Sequence, residues 1–339
     1  MRIAIVTDAW HPQRNGVVRV LDTLARTVRQ MGHRVEVIEP GGFITVPCPS
    51  YPEIPLSLWP GRRLALALDE FAPDAVHIAT EGPLGWAARR WCVKRGHPFT
   101  TAYHTKFPHY VRARTGVPLS WPYAVIRRFH APSAAVLCPS PSVHTELGEW
   151  GFTNAREWSH GVDTATFHPQ SKDFLDLPRP LFMYVGRVAV EKNLPAFLSL
   201  DLPGSKMVVG DGPARGPLMK RFPQVHWRIA NGDAELSRHF AAADCFVFPS
   251  LTDTFGLVML EALASGVPVA AFPVPGPLDV VGDAPVGALR QDLRQAALDA
   301  LSIPPQPCRD YAIRFSWERV ASQFLAALQP LEKANSTAA

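Results

Sequence analysis

RIAIVTDAWHPQRNGVVRVLDTLARTVRQMGHRVEVIE, residues 2–39, holds two short apolar runs with one helical repeat between them. Residues 3–7 are apolar and bounded by charge and turn residues, which predicts a buried strand. A polar turn follows at 11–16. Val17, Val20, Leu21, Leu24 and Val28 then recur at helical spacing, and Gly32 supplies a residue that readily ends a helix. Residues 34–39 predict a second strand. Strand, helix and strand in so short a span imply a parallel pair joined by a right-handed crossover.

The same rhythm runs outward. Residues 75–79, 99–103 and 134–138 predict further buried strands, with helical stretches between them such as 84–94. Residues 167–180 hold Pro169, Pro178 and Pro180 and a polar Gln-Ser-Lys-Asp run, the composition of a linker. Strands are predicted again at 181–185, 207–209, 226–229, 245–248 and 267–272, with helices at 194–200, 214–221, 234–241 and 257–264. An amphipathic helix covers 317–328, and the small polar tail 332–339 is expected to fray. The expectation is an α/β protein of two Rossmann-like domains, with the cleft between them as the natural ligand site.

Composition narrows the class. The chain has 339 residues, 47% hydrophobic and 19% charged, which excludes disorder as its main state. Its five cysteines, Cys48, Cys92, Cys138, Cys245 and Cys308, are widely spaced without a CxxC pair, which argues against a disulfide framework or zinc ribbon and fits reduced thiols in a cytosol. The opening MRIAIVTDAW lacks the apolar core of a signal peptide, and no apolar stretch has the length of a spanning helix. A protein that is soluble, or at most lies on a membrane surface, is expected.

Several residues suit phosphate and sugar chemistry. Gly16, between strand and helix, lets a ligand approach the helix N-terminus, although such a glycine also simply makes a turn. No phosphate-loop motif exists, and the run 210–216 (GDGPARG) misses the dinucleotide spacing by one residue. Arg187 and Lys192 follow a buried strand at its carboxyl end, where two cations could neutralise a diphosphate. The same loop also reads as a solvated turn with a Glu191–Lys192 pair. Asp253 precedes a predicted helix opened by Thr254, Phe255, Gly256 and Leu257, whose N–H groups would be free for phosphate or a sugar oxygen. Glu261 lies on that otherwise apolar helix and needs a polar partner or ligand. Taken singly, these two also read as an N-cap and an exposed Glu.

In combination the sequence resembles the retaining glycosyltransferases of the GT-B fold, in the large group that includes bacterial GDP-mannose-dependent mannosyltransferases and lipid glucosyltransferases. The likeness covers nearly the whole chain. In order it comprises 12–19 (PQRNGVVR), 76–85 (VHIATEGPLG), 103–107 (YHTKF), 161–163 (GVD) with Phe167, 186–193 (GRVAVEKN), 210–213 (GDGP), Ala243 and Asp244 before 248–250 (FPS), the pair Asp253 and Glu261, and 275–277 (PGP). Two positions depart from the family: Glu is usual where Asp253 stands, and Arg is common where His160 stands.

The resemblance implies the following. Residues 1–168 form an acceptor-binding, membrane-facing domain, residues 172–314 a nucleotide-sugar-binding domain, and the helix at 315–330 packs back on the first. Asn15, Gly16, Gly210 and Arg228 contribute to the donor site. His104 contacts the donor sugar near the reacting carbon, and Arg187 and Lys192 stabilise the leaving nucleoside diphosphate. Asp253 with Thr254, Phe255, Gly256 and Leu257 holds sugar hydroxyls and phosphate, and Glu261 binds the ribose. Arg228, Ile229 and Asn231 lie where the base is held and do not choose uracil over guanine. Asp253 and Glu261 are not a glycosidase pair. The donor is a UDP-sugar or GDP-mannose. No metal or other cofactor is expected, and the chain lacks Asp-x-Asp.

The weak total charge of +4 is unevenly spread. Up to residue 170 there are 18 Lys and Arg against 13 Asp and Glu. Residues 82–145 contain nine basic residues, five histidines and no acid. Aromatic residues interleave with them. Lys106, Tyr110, Arg112, Arg114, Trp121, Arg127 and Arg128 are the expected acceptor and membrane residues, because basic and aromatic side chains suit an anionic lipid surface. A solvated basic face over core aromatics is the plainer reading. No nucleic-acid motif accompanies the charge, so no nucleic-acid partner is expected. The expected enzyme transfers a hexosyl unit from a UDP-glucose or UDP-hexuronate type donor to a lipid, diacylglycerol first, on the inner face of the plasma membrane. The alternatives are a GDP-mannose-dependent mannosyltransferase making a glycan or mannolipid, and a non-catalytic sugar-nucleotide-binding module.

Overall fold

A computed structural model of the protein describes residues 1–13, 15–48 and 51–331, with the backbone alone at 51–53, 113 and 114. Arg14, the tail 332–339 and the side chain of Arg114, all part of the reading above, lie outside the described residues. Contacts divide the chain into one unit of Met1–Ser159 with the segment from Glu318 on, and a second of His160–Trp317.

The first unit contains β1 (Arg2–Val6), α1 (Gly16–Gln30), β2 (Arg34–Ile38), β3 (Thr45–Cys48), β4 (Tyr51–Ser57), α2 (Gly61–Phe71), β5 (Ala75–Ile78), α3 (Pro83–Arg95), β6 (Thr100–Ala102), α4 (Phe107–Thr115), α5 (Ser120–His130), β7 (Ala135–Cys138), α6 (Pro141–Glu149) and β8 (Ala155–Glu157). The second contains β9 (Leu181–Val185), α7 (Leu194–Leu198), β10 (Ser205–Val209), α8 (Arg215–Arg221), β11 (His226–Arg228), α9 (Asp233–Ala242), β12 (Cys245–Phe248), α10 (Leu257–Ala264), β13 (Val269–Ala271), α11 (Pro277–Val280), β14 (Gly287–Leu289), α12 (Leu293–Ala300) and α13 (Pro305–Ala312). A last helix, α14 (Trp317–Ala327), belongs to the first unit from Glu318 onward.

Each unit has one six-stranded sheet, ordered β2-β1-β5-β6-β7-β8 and β11-β10-β9-β12-β13-β14, and every neighbouring pair is parallel. Helices cover parallel sheets on both faces, so inner strands are apolar throughout rather than alternating. Every residue of β5, β7, β9 and β12 is buried. The order reverses once in each sheet, between β1 and β5 and between β9 and β12. Such a reversal opens a crevice beyond the carboxyl ends of the two strands.

The segment 160–180 packs with the second unit. Phe167 is fully buried in its core, Arg309 Nη1 donates to the Phe167 carbonyl at 2.6 Å, and Lys172 and Arg179 both reach Asp244 Oδ1 at 2.6 Å. On the first unit, α14 buries Val320, Ala321, Phe324 and Ala327, and Leu328 just past it is buried too. The Trp158 indole N–H donates to the Val320 carbonyl at 3.1 Å, and the Phe324 ring meets His77 edge-on at 5.0 Å.

Candidate active site

The reversal in the second sheet gathers the expected donor residues. Arg187 and Lys192 follow β9 and Asp253 follows β12, its neighbour. Lys192 Nζ donates to Asp253 Oδ1, and the two side chains are only 20% and 15% exposed. Asp253 Oδ2 is buried without a hydrogen-bond partner among the described residues. A buried carboxylate oxygen left open is costly, so it marks a place where a ligand hydroxyl would be welcome. The ammonium has three donors and can keep Asp253 while taking a phosphate oxygen. Behind this pair, the Tyr184 hydroxyl donates to the Arg187 carbonyl at 2.9 Å. Burial, reinforced by the Asp253 charge, pushes the Tyr184 phenol well above its usual range, so it stays a donor. Arg187 itself is half-buried.

Helix α10 runs over Leu257–Ala264, the span predicted for it, so Thr254 and Phe255 precede the helix rather than open it as the site reading expected. Gly256 is its cap at φ +87°, a backbone region that excludes most side chains, and a Cβ there would stand 2.7 Å from Met259. Phe255 is instead buried, its ring 5.1 Å from His160. Gly256 brings no side chain to cap the helix, so the opening N–H groups face the loop and suit an anion. Glu261 is buried on the same helix.

Gly210 lets two loops meet. A Cβ on it would lie 1.9 Å from the Gly186 carbonyl, so the loops after β9 and β10 touch backbone to backbone. Arg228, at the end of β11, is exposed, and its Nη1 donates to the Trp227 carbonyl at 3.1 Å.

In the first unit, Asn15 caps α1 by accepting from Val18 N–H at 3.0 Å, and Gly16 is the first helical residue. His104 follows β6, its ring 6.0 Å edge-on from Trp158. Burial lowers the imidazole to about 4, so it is neutral at pH 7. His77 beneath it is pushed to about 3 by burial first and then by His104. Asp8, after β1, accepts from Leu84 N–H at 2.9 Å, Thr80 OH at 2.9 Å and Gly85 N–H at 3.3 Å. Burial outweighs those bonds and raises its carboxyl above the usual range.

The basic stretch is partly consumed inside the fold. Lys106, expected on the membrane face, is 8% exposed and donates to Glu146 Oε2 at 2.6 Å. This is a correction: a buried cation needs a carboxylate, and Glu146 supplies it. His109 lies 2.8 Å and the Tyr123 hydroxyl 2.6 Å from Glu146 Oε1. Burial pushes the Glu146 carboxyl up, but these three donors outweigh it and hold it at about 2. Tyr110 is half-buried, and Arg112, Arg127 and Arg128 are exposed. Beside them on α4 and α5, Phe107 is 54%, Trp121 68% and Val125 56% exposed.

The sequence reading missed Glu81, Glu146 and Trp59. Both acids were visible as the limits of the acid-free stretch. Trp59, exposed two residues before α2, has a φ of +44°. Among the described residues no three His, Cys, Asp or Glu side chains gather as metal ligands would.

Two parallel α/β sheets, the second with a largely buried Lys192–Asp253 pair at its strand-order reversal, make the architecture of a GT-B glycosyltransferase, and comparison agrees. Residues 14–166 match the family Glycosyltransferase Family 4 and residues 179–302 match Glycosyl transferases group 1. A GDP-mannose-dependent alpha-mannosyltransferase of Mycobacterium tuberculosis is 31% identical over 83% of this chain and 81% of its own length. The chain belongs to this family of GT-B glycosyltransferases. A sulfoquinovosyl transferase of Arabidopsis thaliana is 34% identical over 71% of the chain, which spans half the length of that relative. An alpha-monoglucosyldiacylglycerol synthase of Streptococcus pneumoniae is 28% identical over 90% of the chain and 79% of its own length. Among solved structures, sucrose-phosphate synthase from Thermosynechococcus elongatus shares the fold, with a TM-score of 0.74 and 19% identity over 96% of this chain and 97% of that one.

Proposed function

We propose that the protein is a retaining, metal-independent hexosyltransferase that moves a sugar from a UDP-sugar of the glucose or hexuronate type to diacylglycerol in a membrane. The observation that carries the donor half is the Lys192–Asp253 pair with Asp253 Oδ2 left open at the β9/β12 reversal. In this reading Arg187, Lys192 and the α10 N-terminus stabilise the diphosphate as negative charge develops on it. Asp253 grips a sugar hydroxyl, Glu261 holds the ribose and neutral His104 contacts the donor sugar. A diphosphate oxygen takes the acceptor proton on the face from which it departs.

The acceptor half is supported by the exposed Phe107, Trp121 and Val125 among Arg112, Arg127 and Arg128. Aromatic side chains suit the headgroup level, and each cation near anionic lipid contributes about 1 kcal/mol. No helix among the described residues is long and apolar enough to cross a membrane. In this reading attachment is at the surface of the cytoplasmic leaflet. The diacylglycerol product of the streptococcal relative's name makes that lipid the first choice.

The mycobacterial relative supports a second donor, GDP-mannose, with a glycan or mannolipid acceptor. The decisive experiment offers UDP-glucose, UDP-galactose, UDP-glucuronate and GDP-mannose with dioleoylglycerol vesicles, read by mass spectrometry. Hexosyl-diacylglycerol from a UDP donor is expected. Transfer from GDP-mannose alone selects the second reading, and neither transfer nor donor hydrolysis selects a non-catalytic binding module.

A further inference from the structure

The first sheet reverses between β1 and β5, and two carboxylates stand there. Asp8 is fully engaged with Thr80, Leu84 and Gly85. Glu81 is not. Its Oε1 lies 3.2 Å from His130 Nε2, its side chain is 24% exposed, and among the described residues Oε2 makes no hydrogen bond. His130 is completely buried and cannot swing away, because its Nδ1 is 2.8 Å from Thr101 Oγ1. The loop carrying Glu81 is fixed as well: a Cβ at Gly82 would stand 2.4 Å from Asp8 Cγ. The β5–β6 register pairs Ile78 with Thr101, so Glu81 and His104 each lie three residues past paired positions on neighbouring strands.

We propose that Glu81, oriented by His130, is the residue of the first unit that binds the acceptor by accepting a hydrogen bond from its hydroxyl. A carboxylate with one oxygen clamped and the other open receives a hydroxyl well. With Asp8 beside it, the same place disfavours a phosphate, so the reacting end of the acceptor is a neutral alcohol. This deepens the proposed function and rests on its assignment of the first unit to the acceptor. Glu81 accepts a hydrogen bond only. The acceptor proton still leaves with the diphosphate.

The test compares wild type, Glu81→Gln and His130→Phe, with dioleoylglycerol vesicles and methyl α-mannoside as acceptors and calorimetry for UDP binding. His130→Phe keeps the buried ring and removes the nitrogen facing Glu81. The acceptor KM should rise about 10–100-fold in Glu81→Gln, as for a lost hydrogen bond to a charged group, and several-fold in His130→Phe, with UDP affinity held. An unchanged acceptor KM in Glu81→Gln overturns the assignment. Transfer to the mannoside but not to the lipid sinks the lipid reading alone, and the Glu81 comparison then runs on the mannoside. Saturation-transfer NMR with glycerol reads the contact without turnover. A wild-type signal lost in Glu81→Gln supports it, and an equal or absent signal overturns it. A stronger signal from glycerol 3-phosphate overturns the claim of a neutral acceptor.

Discussion

Replacing Lys192 with Ala separates two consequences of one contact. The ammonium and the Asp253 carboxylate are about four-fifths buried. Removing one partner of a fully buried pair costs about 3–5 kcal/mol, and an exposed pair is worth about 0–1, so about 2 kcal/mol of stability should go. Catalysis should lose about a hundredfold or more in kcat, the effect of one donor that stabilises charge in the transition state. Urea unfolding measures the first quantity, and turnover at saturating donor, well below the unfolding midpoint, measures the second. The double variant Lys192→Ala with Asp253→Asn tells them apart. Without the stranded carboxylate, stability should recover in part, by about 1 kcal/mol, while kcat stays low. Turnover unchanged in Lys192→Ala, or restored in the double variant, refutes the role in the leaving group: the lysine would then matter only as the counterion of Asp253.

Acid should weaken the first unit early. His77 and His104 are held at about 3 and about 4, below their ordinary 6.5, so the unfolded chain binds more protons across that window. Their stabilisation is complete above pH 6.5 and declines as pH falls through it, so the urea midpoint should drop from pH 7 to pH 5, and a flat midpoint contradicts the burial of these rings. Trp121→Glu should abolish sedimentation with anionic vesicles at low salt while leaving UDP affinity intact, and undiminished sedimentation removes α5 from the membrane reading. Phe324→Ala should cost about 3–5 kcal/mol by opening a cavity against His77 and Trp158, measured by urea unfolding, and a loss below 1 kcal/mol would mean that α14 is not structural.

Buried strands were the most legible feature of the sequence, because β9 and β12 are apolar at every position and begin and end where the runs do. The edges were not. β8 and β14 are hydrogen-bonded on one side and half-exposed, so no apolar run announces them. The hairpin of β3 and β4 carries Pro47, Pro52 and Pro55, which read as loop, and its strands pair only with each other. Among candidate site residues, the placement of Arg187, Lys192 and Asp253 was legible because strand ends fix their positions. Lys106 was misjudged because a count of charges cannot see its partner, which lies 40 residues later. Glu81 and Glu146 were read as the borders of a basic stretch, yet they fold back onto His130, Lys106 and His109, the stretch's own basic groups.

Glu146 also bears on how the protein would endure its working surface. Next to a leaflet at about −30 mV protons are enriched roughly threefold, so the local pH is about half a unit below bulk. A carboxylate with an ordinary affinity for protons would lose part of its grip as bulk acidity rose. Glu146 sits at about 2, with Lys106, His109 and Tyr123 converging on it, and so remains an anion through any such drop. The clasp that joins α4 and α5 to α6 is therefore insensitive to the acidity of the surface those two helices would face, and under the proposed membrane attachment a change in lipid charge would alter the tightness of docking without loosening these helices.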